Sequence, residues 1–179
     1  MHVFRLGAGL AAAALLVLTP TGATAASQWF SDAHGDVKSS VDIHRVRLFN
    51  GSLQGPAVRV TVVQRELRAG DGFDVWLDTD AADPGPEFRA AWFANSDSLG
   101  VRMVESFSDM GQQVACPLFR VRSAQDDPGE SSHVFIPRPC LDYPGSVRIS
   151  VRAQRAFAHT TATDWAPSVL HFYPWVARG

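Results

Sequence analysis

Along most of the chain, apolar side chains return at every second position and polar ones fill the places between. AVRVTVVQREL (57–67), FDVWLD (73–78), FRAAWF (88–93), LGVRMVESF (99–107) and SVRISVRAQ (146–154) carry the pattern best. A two-residue period sends alternate side chains to opposite faces of an extended backbone. Each run therefore predicts a strand with one covered and one wetted face. Weaker runs are VDIHRVRLF (41–49), VACPLFRVR (114–122), HVFIP (133–137) and SVLHFY (168–173). Together they predict about nine short strands.

The spacing of an amphipathic helix is missing from residue 26 onward, and so is any β-α-β rhythm. That excludes a doubly wound parallel sheet and predicts an all-β, antiparallel, jelly-roll-like sandwich. Turn chemistry agrees. Asn50-Gly51 lies between two runs as a hairpin cue, and RAGDGF (68–73) and DDPGESS (126–132) are glycine-bearing connections. Asn50-Gly51-Ser52 also matches the N-glycosylation triplet, for which the turn is the simpler account.

The first 25 residues follow other rules. Arg5 precedes an apolar run from Leu6 to Leu18, and the small-residue triplet Ala23-Thr24-Ala25 closes it. This three-part pattern predicts a secretory signal peptide (1–25), with an apolar run too short to span a bilayer. The C-terminal PWVARG carries no anchor signal. The expectation is a secreted, extracellular, monomeric protein with a single domain over 26–179 and no membrane association after processing.

Charge narrows the partners little. The formal charge is −2, and arginine supplies all but one of the 16 basic residues. In sequence the arginines are scattered rather than clustered, which predicts no nucleic-acid partner. Cys116 and Cys140 are the two cysteines. In an exported chain they are expected to pair, closing a loop worth about 3.5 kcal/mol on the chain-entropy model.

The densest chemistry is DVWLDTDAADPGPEF (74–88). Alternation puts Asp74, Trp76, Asp78 and Asp80 on the face opposite Phe73, Val75 and Leu77. Three readings stand side by side. Asp78, Asp80 and Asp83 are candidate oxygen ligands for calcium, although the EF-hand template fails in this stretch. A second acidic group, DAHGD (32–36), would add ligands if the fold brings it near. Alternatively, two of these carboxylates form a catalytic pair, which requires a cleft between them. In the third and simplest account, they solvate a strand edge and open a turn.

Motifs of nucleophilic catalysis are missing: there is no G-x-S-x-G, no H-x-H and no H-E-x-x-H. Five tryptophans are many for this length, and most are expected to fill the core. Trp76, placed on the polar face, is the candidate ligand-stacking residue.

GDV…VDI after the leader, F-DVWLDTD…PGPE in the middle and the terminal DWAP…F…WVARG resemble a group of secreted actinobacterial proteins of unassigned function. More distantly, the D…GD…DI opening and the D-x-D strand end are similar to β-sandwich modules of the family 9 carbohydrate-binding and DOMON type. That resemblance implies a sandwich that binds sugar or, in some members, haem through a methionine and a histidine. Met103 or Met110 with His133 supply those residue types without a diagnostic spacing.

The expected function is thus a non-catalytic module that binds extracellular carbohydrate or cell-wall glycan. Its alternative is a small extracellular hydrolase whose active site forms only in the fold.

Overall fold

The computed structural model describes residues 26–51, 57–94, 96–97, 99–124, 130–156 and 160–179. The expected signal peptide lies outside them. Within them the chain is all-β, two antiparallel sheets packed face to face, as the alternation predicts.

Five strands form the first sheet: β1 (Ser27–Ser31), β2 (Ile43–Phe49), β3 (Ala57–Gln64), β8 (Arg120–Ala124) and β9 (Ser131–Pro137). Their order is β1-β2-β3-β9-β8. The second sheet holds β4 (Gly72–Asp78), β5 (Phe88–Phe93), β6 (Leu99–Met103), β7 (Gln112–Gln113), β10 (Ser146–Ala156) and β11 (Thr161–Ala166). It runs β11-β10-β4-β5-β6-β7, with β12 (Val176–Ala177) paired beside the start of β10.

The core is what the two-residue period dictates. Val46, Leu48, Val58, Val60, Val62, Val134 and Ile136 point inward from the first sheet. Phe73, Val75, Leu77, Ala90, Val101, Val147, Ile149 and Val151 meet them from the second. Phe73 and Trp92 stack inside it, with ring centroids 4.9 Å apart. Burying a large apolar side chain contributes roughly 1.5–3 kcal/mol, so this interior is the main source of stability.

Two further ties close the sandwich. Cys116 and Cys140 form a disulfide, with Cα atoms 5.6 Å apart, between the chain before β8 and the short 3-10 helix Arg138–Leu141. Arg138 is 1% exposed. Its guanidinium donates to the carbonyls of Asn50 (2.8 Å) and Pro144 (3.3 Å). Asn50 is itself fully buried, its amide donating to the Val176 carbonyl at 2.8 Å. That anchor is structural and keeps the Asn50 side chain out of solvent.

Strand positions depart from expectation in several places: β7 and β12 are two-residue strands outside the predicted runs, LGVRMVESF is a strand only to Met103, and VACPLFRVR only from Arg120. β1 and β11 carry little alternation and were not expected. SVLHFY (168–173) is not a strand. Pro167 lacks the N–H that a ladder needs, so β11 ends there and the aromatic segment folds across the second sheet instead.

Candidate functional site

The acidic stretch is where the alternation is right and its expected exposure is wrong. Asp74, Trp76 and Asp78 share the face of β4 opposite the core, yet every residue of β4 is buried. Directly across the ladder, β10 presents Arg152, Ser150 and Arg148. Arg152 and Arg89 both pair with Asp74, each with a nitrogen 2.5 Å from a carboxylate oxygen. Arg148 pairs with Asp78, also at 2.5 Å. The charges on this face are thus matched within it.

An aromatic cover lies on top. Trp76 stacks on Trp165 of β11 and meets Phe107, which in turn touches Phe172. Arg148 lies over Phe172 and Trp175, each centroid 4.8 Å from the guanidinium carbon. Trp76 is therefore 1% exposed. The placement of Trp76 on an exposed polar face needs correction: the chain around Phe107 and Phe172 covers that face and leaves no indole surface to a sugar.

Asp78, Asp80 and Asp83 are not drawn into one ligand set. Asp78 is committed to Arg148, and Asp80 accepts the N–H of Ala82 at 2.9 Å in its own turn. Asp83 is exposed. Among the described residues, the acidic side chains that do converge are Asp36, Asp42 and Asp164, each offering an oxygen within 4.8 Å of the others. The DAHGD segment thus joins Asp42 at the start of β2 and Asp164 of β11, away from Asp78. Asp164 lies 121 residues from Ile43, whose N–H it accepts, so one sequence carries no local sign of the meeting.

The methionine and histidine pair does not assemble either. Met103 is on β6 of the second sheet, Met110 lies near it in the connection to β7, and His133 is on β9 of the first sheet. His133 is held between the hydroxyls of Thr61 and Ser131, each 3.1 Å from a ring nitrogen. Ser131 is itself buried, so this serine–histidine contact is not an open nucleophile.

The outer face of the first sheet is what sequence reading missed. Its strands, SQWFS, IHRVRLF, AVRVTVVQ, RVRSA and SSHVFIP, contain no Asp or Glu. Alternation lifts Arg45, Arg47, Arg59, Arg120 and Arg122 onto the outer side, and register sets them in rows. One row across the strands reads Phe49, Arg59, Phe135, Arg120. The next reads Trp29, Arg47, Thr61, His133, Arg122.

With strands about 4.8 Å apart, a five-strand row spans roughly 19 Å. Arginine and ring alternate in contact. Arg59 lies 5.3 Å from the centroids of both Phe49 and Phe135, and Arg120 lies 4.8 Å from that of Phe135. Arg45 caps Trp29 at 4.6 Å, and Trp29 keeps 45% of its surface exposed. A shallow depression of ≈ 230 Å³ lies among Trp29, Arg47, Phe49, Arg59 and Phe135.

The two outer faces are opposite in kind. On the second sheet arginine meets aspartate and is covered. On the first, Arg45, Arg47 and Arg120 are exposed and rest against rings, which leave their charge in place, and Arg122 is exposed beside them. The correction to the scattered arginines is geometric: R-x-R on β2 and β8 puts pairs on one side, and strand order gathers the pairs. Compared with family models, with curated proteins and with solved structures, the chain shows no match in any of the three.

Proposed function

We propose that this chain is an extracellular binding module that holds an anionic polysaccharide on the open face of its first sheet. The observation that carries the reading is the set of five arginines, four of them against three half-open rings, on strands devoid of acidic residues. Guanidinium groups recognise carboxylate and phosphate through paired N–H donors, and aromatic faces stack on sugar rings. Neighbouring charges on this grid stand within about one Debye length, so their fields add toward a polyanion. A flat face about 19 Å long suits an extended polymer better than a small ligand enclosed on all sides. The secretory leader expected at residues 1–25 puts polysaccharide, rather than nucleic acid, within reach.

The test is retention on immobilised polymers: a uronic-acid polysaccharide, a phosphate-bearing cell-wall glycan and a neutral glucan, with single-stranded DNA as competitor. Wild type is expected to bind the charged glycans and pass the neutral one. Arg47→Glu with Arg122→Glu should weaken that binding by about ten-fold or more. The two charged columns separate a carboxylate from a phosphate ligand. Equal retention on all columns, indifference to the charge reversals, or preference for the DNA would each overturn the reading.

A further inference from the structure

A second feature lies at the opposite edge, where the segment before β2 meets β11. We propose that Asp36, Asp42 and Asp164 hold a calcium ion that clasps the two sheets together. Their three oxygens lie within 4.8 Å of one another, about twice a calcium–oxygen bond of 2.4 Å, a grouping able to hold one ion. Asp42 is 2% and Asp164 3% exposed. Carboxylates so deeply placed are normally compensated by cations. Among the described residues neither pairs with lysine or arginine; the basic neighbour is His44, whose Nε2 is 3.4 Å from Asp42.

Backbone donors already aim these groups. Asp164 accepts the N–H of Ile43 at 2.6 Å and that of Trp165 at 2.7 Å. Asp42 accepts the N–H of Gly35 with both oxygens, at 3.1 and 3.0 Å. Gly35 has φ +78°, a conformation that turns the DAHGD segment back toward Asp42.

Independent of the cluster, Tyr173 points to a missing partner. It is 5% exposed, stacks on Phe30, and its hydroxyl has no hydrogen bond among the described residues. Phe30 lies two residues before Asp32, and the Asp32 N–H donates to the carbonyl of His44, whose ring meets Asp42, so the Tyr173 ring lies at this same edge. Asp32 likewise carries a buried oxygen without a partner. A cation with its coordinated waters supplies what both orphaned atoms lack. The three converging groups are all carboxylates, with no cysteine and no ring nitrogen among them, which favours calcium over zinc.

The experiment uses the chain from residue 26, stripped with chelator, then titrated with Ca2+, Mg2+ or Tb3+. Calcium at a hundred-fold excess over its Kd is expected to raise Tm by about 5–10 °C over the chelated state. Terbium emission should be excitable through the aromatic rings of Trp165 and Tyr173. Asp36→Ala removes one exposed ligand without opening the core and should abolish both responses. Asp164→Asn retains an acceptor for Ile43 and should weaken them at least ten-fold. Asp83→Ala should respond as wild type. Equal Tm values in calcium and chelator would overturn the proposal. So would an equal response to Mg2+, a full response in Asp36→Ala, or its loss in Asp83→Ala.

Discussion

The indoles of Trp76 and Trp165 lie stacked, 5.0 Å between centroids and 15° from parallel, on the side of the second sheet away from the core. This contact makes the back of that sheet a second apolar layer. Trp76→Ala should therefore cost about 3–5 kcal/mol, as for other buried aromatic residues. Denaturant titration measures it. Retention on the charged glycan columns, at a temperature where the variant is folded, should be unchanged.

Asp74 is the hub beneath that layer, pairing with both Arg89 and Arg152. Its side chain is 2% exposed, while those of the two arginines are 19% and 26% exposed. Asp74→Ala leaves two half-buried guanidinium groups unmatched and is expected to cost about 3 kcal/mol, at the lower end for buried pairs because water reaches the arginines. A double-mutant cycle with Arg152→Met should show strong coupling. Additive losses would mean that the ion pair is not felt.

The disulfide joins residues 24 apart in sequence and closes one end of the sandwich. Reducing it, or replacing both cysteines by serine, should lower stability by about 2–4 kcal/mol while leaving the strand signature in circular dichroism. A mass measurement of the alkylated protein, with and without reductant, checks the bond itself.

On the open face, charge and stacking separate. Raising salt from 50 to 200 mM should weaken glycan binding steeply in wild type and less so in Arg47→Glu/Arg122→Glu. Trp29→Ala, by contrast, should lower affinity while keeping the salt slope. Surface changes of this kind shift stability by about 0.5 kcal/mol or less, so Tm serves as the control.

How much of this was legible in sequence follows from the range of the interactions. The strands β3, β4, β5 and β10 announce themselves because Val, Ile and Phe alternate with polar residues over a local stretch. Face assignment on β4 was correct for Asp74, Trp76 and Asp78 for the same reason. Their burial was not readable, since it depends on Phe107, Trp165 and Phe172 arriving from distant parts of the chain. SVLHFY has the composition of a strand, but Pro167 ahead of it and an aromatic surface to cover decide otherwise.

The open face was half legible. HRVRLF and FRVR each show arginines two apart, the mark of one strand side. Only strand order shows that these pairs share one face with β3 and β9 between them, and that β9 brings His133 and Phe135 rather than a carboxylate. The meeting of Asp42 with Asp164 is of the same long-range kind.

The row Phe49, Arg59, Phe135, Arg120 has one consequence beyond attraction. Each guanidinium rests against a ring and is held in place on a sheet whose spacing does not stretch, so little side-chain freedom is left to surrender on docking. Arg59 and Arg120 stand two strands apart, roughly 10 Å. The sheet is then a ruler: polymers of equal total charge but different charge repeat will be sorted by how closely that repeat matches the strand ladder.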